Sequence, residues 1–526
     1  MHLAKAFSIS LYGMTGRAIE VEADISSNLP GFVLVGLPDA SLQESSARVR
    51  AAITNTGFTW PNRKVTVNLS PANVPKSGSG FDLAIAAAIL AASGQIELVA
   101  DRLSVALGEL ALDGRVKPIP GVLPALREAQ RLGFKRAIVP HENIAEAQLI
   151  ADFEVSPVSC LVCFARSIAA NELSQTCDCA NASALSRVPS QAGVGGDSAD
   201  AALDFADVLG QQAAVRALAV AAVGRHHTLM VGPPGAGKTM LAERLPSILP
   251  PLESETAVDL ASIRSLIRFG QFTALPPGTE VTPFCAPHHS VNQTAMIGGG
   301  NPIPRPGQIS LAHGGVLFLD EAPEFSLSTL ESLREPLESG SISISRAAGT
   351  AVFPARFQLV MAANPCPCGF RDVAGKTCTC SYSARARYAS KLSGPLLDRI
   401  DIRIRVDAQT KAARLRAAKE ARYTSEHLRD QVARARVASV ARLAGTPWRF
   451  NSEVSGQFLR KLATENPSAT AILDRALGSG AISMRGFDRC MRVALSIADL
   501  DAKPTLDATC VAEALFLRGA SDWSSL

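Results

Sequence analysis

The stretch Leu229-Met230-Val231-Gly232-Pro233-Pro234-Gly235-Ala236-Gly237-Lys238-Thr239 decides how this chain is read. It opens as a short apolar strand. It continues as Gly-x-x-x-x-Gly-Lys-Thr, and a helical pattern follows from Met240 to Ile248. Strand, glycine loop and helix, in that order, is the setting in which this motif cradles phosphate. Glycines let backbone N–H groups wrap an anion at a helix N-terminus. Lys238 is placed to reach β- and γ-phosphates, and Thr239 to offer a hydroxyl to Mg²⁺. Gly232, Pro233, Pro234, Gly235, Ala236, Gly237, Lys238 and Thr239 are therefore the expected ATP-binding loop.

Such a loop needs a carboxylate partner for its metal. Gly315-Val316-Leu317-Phe318-Leu319-Asp320-Glu321 supplies one. Four consecutive apolar residues suit a strand buried on both faces of a parallel sheet. The acids then fall at the carboxyl end of that strand, where open α/β sheets bind ligands. Asp320 is expected to hold Mg²⁺ with Thr239, and Glu321 to orient the attacking water. A second apolar strand, Phe357 to Ala363, ends in Asn364, an amide placed to hold the same water and sense the γ-phosphate. Leu396-Leu397-Asp398-Arg399-Ile400-Asp401 puts Arg399 at a helix end, before the strand Ile402 to Val406. Arg399 is expected to reach a neighbouring subunit's γ-phosphate; the alternative is a surface ion pair with Asp398 or Asp401. Ser483-Met484-Arg485 opens a helix that is expected to lay Arg485 over the phosphates. Arg489 and Arg492 share that face at helical spacing, so a basic helix face is the alternative there.

The chain has 526 residues, a length that suggests roughly three to four domains. Charged residues make up 19% and hydrophobic residues 47%, which excludes a disordered chain. The longest apolar runs, near Leu83 to Ser93 and Ala217 to Val223, fall well short of the ~20 residues that span a bilayer. Met1 to Lys5 has no secretory pattern, so a cytoplasmic, reducing setting is expected. Residues 1–170 mix strands (Lys64 to Leu69, Ala137 to Pro140) with helices (Phe81 to Ala92, Leu123 to Leu132). Residues 171–202 shift to Ser, Ala, Asn, Gln and Gly and read as a flexible linker. Residues 203–408 alternate strand and helix as a layered α/β domain, and 409–526 read as a helical domain. The expected fold class is multi-domain α/β.

Together the glycine loop, Leu-Phe-Leu-Asp-Glu, the strand-end Asn, Leu-Leu-Asp-Arg and the helix-opening Arg resemble an AAA+ ATPase. Three further phrases narrow the resemblance: Ala286-Pro287-His288-His289-Ser290, Arg305 to His313 (Arg-Pro-Gly-Gln-Ile-Ser-Leu-Ala-His), and Ala362 to Gly369 (Ala-Ala-Asn-Pro-Cys-Pro-Cys-Gly). These are similar to the magnesium-chelatase-like family called YifB or ComM. The resemblance implies a hexameric helicase that drives branch migration of DNA, with residues 409–526 as a helical lid. It also places an insertion containing His288, His289 and Gly298 to Gly300 in the second helix of the core. A hairpin from Glu338 to Thr350 would precede the sensor strand. Both point into the central pore of related rings, which makes Arg346 a candidate DNA contact. Where the family has an Arg, this chain has Cys285.

The first domain resembles the proteolytic domain of Lon proteases, through Pro75 to Asp82 and Gly114 to Gly121. The Ser nucleophile and Lys base of Lon fall on Gly80 and Leu123, so the dyad is absent and a protease is excluded. Adjacent His288 and His289 have no third ligand at suitable spacing and are read as structural.

Cys366-Pro367-Cys368 and Cys378-Thr379-Cys380 give C-x-C, nine residues, C-x-C. Four thiolates in one loop match a closed structural Zn²⁺ site; free thiols are the alternative. The other paired cysteines, Cys160/Cys163 and Cys177/Cys179, sit in an apolar run and in the linker, and are read as non-metal. Residues 381–449 carry 16 Lys plus Arg against 6 Asp plus Glu, while the whole chain is only +4. Such clustering is the footprint of a phosphate-backbone partner. Arg385, Arg387 and Lys391 are the candidate contacts, beside Arg403, Arg405, Lys411, Arg414 and Arg416, with Tyr382 and Tyr388 placed to stack on bases. The leading expectation is an ATP- and Mg²⁺-dependent homo-hexameric motor on single-stranded or branched DNA, with no membrane partner. The alternative is a chelatase-type or protein-remodelling motor.

Overall fold

The computed structural model describes residues 3–170, 203–267, 282–409 and 423–519, except 38, 75, 77, 99–103, 302, 348 and 372–375. The expected linker, Cys177, Cys179, Lys411, Arg414 and Arg416 lie outside the described residues.

Seven strands form the first sheet. They are β1 (Leu3–Tyr12), β2 (Thr15–Ser26), β3 (Gly31–Val35), β4 (Lys64–Ser70), β5 (Ser104–Ala106), β6 (Arg136–Pro140) and β7 (Glu154–Val158), in the order β3-β4-β2-β1-β5-β6-β7. Alternation works as the sequence dictates: Val65, Val67 and Leu69 are buried between half-exposed neighbours. Helix α1 (Asp82–Ala92) is apolar on every side, and residues 82–90 are all buried, as a helix without a polar stripe must be. Gly80 and Leu123, the positions expected to replace the dyad, lie in this domain. Gly80 has no side chain, and Leu123 is fully buried in α2 (Val122–Arg131).

The second sheet is parallel throughout. Its strands are β8 (Thr228–Val231), β9 (Phe284–Cys285), β10 (Val316–Leu319), β13 (Gln358–Ala363) and β14 (Ile402–Arg405), with the hairpin β11 (Ser341–Arg346) and β12 (Gly349–Pro354) preceding β13. The order is β9-β10-β13-β8-β14. Every residue of β8, β10 and β13 is buried, because both faces are covered. One face, with Met230, Phe318 and Val360, packs on α3 (Gln212–Gly224) and the C-terminal helices. The other, with Leu229, Leu319 and Met361, packs on the hairpin and on Tyr388. Between β9 and β10 the chain makes short helices (Gln293–Ile297, Gln308–Leu311) around a small ladder, Gly298–Gly299 against Arg305–Pro306. The expected insertion falls on this stretch.

The loop helix α4 (Lys238–Arg244) is followed by α5 (Ser254–Ser265). Between β13 and β14 lies α6 (Tyr382–Ser390), and beyond β14 come α7 (Ser425–Leu443), α8 (Gly456–Glu465), α9 (Pro467–Gly478), α10 (Met484–Leu500) and α11 (Ala508–Gly519). The buried residues of α7, α10 and α11 continue the core of the second sheet. Among the described residues no helix is long and apolar enough to cross a membrane.

The first sheet docks on the second at two points. The Tyr12 hydroxyl donates to the Gly349 carbonyl at 3.0 Å, and a side chain on Gly13 would start 2.7 Å from the Ala351 methyl. On the other side Arg127 pairs with Asp259 at 2.6 Å, and the Gly121 N–H donates to the Ser265 carbonyl at 2.9 Å.

Candidate nucleotide site

The glycine loop turns sharply out of β8. A side chain at Gly232 would lie 2.1 Å from the Val406 carbonyl, so only glycine fits there. Gly237, at φ +93°, opens α4 from the left-handed region, where a Cβ is strained. The loop, Asp320, Glu321 and Asn364 line a cavity of ≈400 Å³ at the carboxyl ends of β8, β10 and β13. The sequence-predicted ATP residues are thus brought together.

Within it the Lys238 amine donates to the Gly232 carbonyl (2.6 Å), the Pro233 carbonyl (3.0 Å) and Asn364 Oδ1 (3.0 Å). Burial lowers the Lys238 pKa, and Asp320 and Glu321 oppose that. The Thr239 hydroxyl donates to Asp320 Oδ2 at 2.7 Å, and the Glu321 N–H to Asp320 Oδ1 at 2.9 Å. This hydroxyl and carboxylate, both oxygen donors side by side, suit Mg²⁺. Glu321 itself adopts φ 50°, ψ 45°. A non-glycine residue held there marks a site whose geometry is set by its surroundings. His289 Nδ1 stands 3.7 Å from Glu321 Oε2, with its ring 4.0 Å from that of His288. The insertion therefore touches the proposed water-orienting acid, a contact the sequence did not signal.

Arg399 and Arg485 lie elsewhere. They line a second cavity, of ≈950 Å³, with Arg225, Arg334, Arg356 and Arg489. Arg485, expected over the phosphates, lies 3.8 Å from Asp398, beside Arg399. The reason is that α10 is anchored there, since Arg489 pairs with Asp401 and donates to the Arg399 carbonyl at 3.2 Å. Arg492 donates to the Val454 carbonyl at 2.8 Å, so neither lies on a free basic face. Arg399 pairs with Glu338 and donates to the Pro395 carbonyl at 2.5 Å. Burial, then Arg334, Arg489 and Arg485, lower its pKa.

The cysteine loop closes as its spacing suggests. The Sγ atoms of Cys366, Cys368, Cys378 and Cys380 all lie within 4.8 Å of one another. The pairs Cys366–Cys368, Cys366–Cys378 and Cys368–Cys378 are 3.3, 3.7 and 3.6 Å apart. Four thiolates ~2.3 Å from a tetrahedral Zn²⁺ stand about 3.8 Å from each other, so the donor set fits that ion. Among the described residues this is the single cluster with metal-ligand geometry; His288 and His289 belong to none. The loop touches the phosphate cradle, since a side chain on Gly369 would start 2.5 Å from Pro234 Cδ.

The candidate DNA residues disperse. Arg346 ends β11 and donates to the Gly300 carbonyl at 3.0 Å, joining hairpin to insertion. Arg387 is exposed on α6 and Arg385 half-buried. Lys391 pairs with Glu324 at 3.3 Å. Tyr382 is exposed, but Tyr388 is buried, and its hydroxyl meets the Asn364 N–H. Tyr388 therefore props Asn364 and cannot stack on a base, because its ring fills the core below β13.

Adjacent His226 and His227, before β8, went unread in the sequence. Their ring partners lie 132 to 270 residues away, so no local pattern announces them. Burial pushes His227 down to about 4, and its Nδ1 accepts from the Leu359 N–H at 3.0 Å.

Comparison with known proteins agrees with this geometry. The family model for magnesium chelatase, subunit ChlI, matches residues 204–414, that for subunit ChlI of Mg-chelatase matches 21–143, and that for the ChlI C-terminal region matches 422–518. An uncharacterized Mycobacterium tuberculosis protein is 44% identical, covering 98% of this chain and 99% of its own length. Competence protein ComM of Haemophilus influenzae is 38% identical, covering 98% of each. YifB of Escherichia coli is 37% identical, covering 98% of this chain and 97% of its own. Lon protease 2 of Bacillus subtilis matches in part, 27% identical over 26% of this chain and 27% of its own. With a glycine loop, acidic strand end and strand-end asparagine gathered on a parallel sheet, the chain belongs to the YifB/ComM family of magnesium-chelatase-like AAA+ ATPases.

Proposed function

We propose that the protein is a ring-shaped, ATP-driven DNA motor, hexameric and acting on single-stranded or branched DNA, as in branch migration during recombination or DNA uptake. One observation carries the ring: Arg399 and Arg485 share a cavity that Lys238 and Glu321 do not line. A single chain thus holds a phosphate cradle and, apart from it, an arginine pair, and a second copy brings them together. Such heterologous contacts close into rings. The name of the competence protein ComM, a relative over nearly the whole chain, supports the DNA-uptake setting.

Mg²⁺-ATP supplies the phosphoryl group and the charge that draws these residues together. Lys238 exchanges its carbonyl partners for phosphate oxygens. Thr239 and Asp320 hold the metal. Glu321 and Asn364 orient the water, and Glu321 takes its proton. Arg399 and Arg485 of the next copy neutralise charge developing on the γ-phosphate. Residues 409–526 act as the lid that carries Arg485. The Arg346 hairpin and the 286–307 insertion face the pore, and Arg387 and Arg385 add positive charge on α6. The Cys366–Cys380 loop holds a structural Zn²⁺.

The test is the ATPase rate with no DNA, single-stranded, duplex and four-way-junction DNA, with Glu321→Gln as blank. Stimulation by branched or single-stranded DNA is expected. Equal rates on all, with real basal turnover, would overturn the DNA reading. They would favour the second one, a chelatase-type or protein client, which the chelatase descriptions of the matching family models support.

A further inference from the structure

At the amino ends of the ATPase strands, away from the phosphate cradle, a chain of buried polar groups joins the arginine loop to the C-terminal helices. His226, fully buried, meets Asp401 Oδ2 through Nδ1 at 3.1 Å and Ser496 Oγ through Nε2 at 2.8 Å. The other Asp401 oxygen is paired with Arg489, and the same Arg489 nitrogen donates to the Arg399 carbonyl at 3.2 Å. The N–H groups of Asp401 and Ile402 both donate to the His227 carbonyl, each at 3.1 Å. Beyond Ser496, Asn451 Nδ2 donates to Ser496 Oγ at 2.9 Å and to Asp499 Oδ2 at 2.8 Å. Gln358, at the start of the sensor strand, donates to the His226 carbonyl at 3.0 Å.

None of these groups lines the phosphate cavity. Burying a carboxylate and a guanidinium costs stability unless each is well partnered. Here the Asp401 carboxylate and the Arg489 guanidinium are each partnered, and such pairing holds one geometry in preference to others; at the edge of the network Gln358 Oε1 is buried without a hydrogen-bond partner. Burial alone would raise the Asp401 pKa; Arg489 and His226 outweigh it and hold the carboxyl below its ordinary range. What the network fixes is specific. It clamps the backbone at Arg399 and at the two residues Asp401 and Ile402 that follow it, and it seats α10, whose first turn carries Arg485.

We infer that His226, Asp401 and Arg489 form a positioning triad that presents Arg399 and Arg485 to the nucleotide of the neighbouring copy. The arginines' reach is then set by how α10 sits on its own sheet, with the sensor strand tied to the same point through Gln358. The inference rests on the trans role proposed for Arg399.

The experiment is complementation between variants. Glu321→Gln cannot turn over at its own site but lends a sound arginine pair. Asp401→Asn and His226→Gln keep side-chain size, and each is expected to bind ATP with unchanged Kd while kcat falls on the order of 10²-fold, the scale of a small misplacement of a reacting group. Mixed in equal amounts with Glu321→Gln, each should recover about a quarter of wild-type turnover, since random assembly in a cyclic ring pairs a sound cradle with a sound arginine at about one junction in four. Arg399→Ala mixed with Glu321→Gln is the control. The inference stands if either triad variant binds ATP normally, is slow alone and is rescued. It is overturned if Arg399→Ala is rescued and neither triad variant behaves so. If Arg399→Ala itself is not rescued, the trans reading falls, and the inference with it.

Discussion

Glu321 carries its carboxylate on a left-handed backbone, bonded through its own N–H to Asp320 and faced by His289. A Glu321→Gln change keeps shape and backbone while removing the base. ATP binding should persist, and turnover should fall by about 10²–10⁴-fold, the usual contribution of a general base. Nucleotide-binding titrations beside steady-state ATPase check this, and normal turnover would remove Glu321 from the chemistry. Lys238→Ala should act one step earlier and abolish binding itself, read in the same titration. The placement of both residues at one cavity was legible in the sequence, because motif spacing around a strand end dictates it. The role of Tyr388 was not. In sequence it is an aromatic among basic residues, and its burial behind Asn364 depends on how α6 packs on β13.

At the scale of elements, two loops brace the ATPase domain, one at the cradle and one at the hairpin. The cysteine loop rests on Pro234 through Gly369 and follows the sensor strand directly. Metal analysis should find about one Zn²⁺ per chain, as a closed four-thiolate site requires. Its removal by chelation, or Cys378→Ser, should lower Tm and ATPase together; a metal-free protein of full activity would refute the site. The β1–β2 turn is the second case. Gly13, at φ +65°, sits against Ala351 of the hairpin. Gly13→Val adds a clash and a strained backbone, and should cost about 1–3 kcal/mol, read as a lower denaturation midpoint. An unchanged midpoint would mean that the turn is not held against the hairpin in solution.

At the scale of the molecule, a 55.2 kDa chain holds cradle and arginines in separate cavities, the separation on which the proposed ring rests. In light scattering, Glu321→Gln with Mg²⁺-ATP should give a particle of roughly six chain masses, a closed cyclic assembly, and Lys238→Ala should not. A monomer under all conditions would dismiss the ring. The first sheet touches the second through the hairpin and through α5, which leads toward the insertion. The hairpin proposed for the pore is thus in contact with the first domain of the chain.

Some of this was written into the chain order itself. A glycine loop after an apolar strand, acids at the end of another, and four cysteines in one loop act over short separations, where geometry follows from spacing alone. The burial of α1 and the alternation of β4 are equally local, since hydrophobic pattern dictates them. Long-range neighbours were another matter. That Arg485 stands by Arg399, that Tyr388 is core, and that His226 meets Asp401 and Ser496 from 175 and 270 residues away are decided by packing. Polar side chains buried by folding take partners from whatever the fold brings near, and the sequence around each carries no sign of which partner that will be.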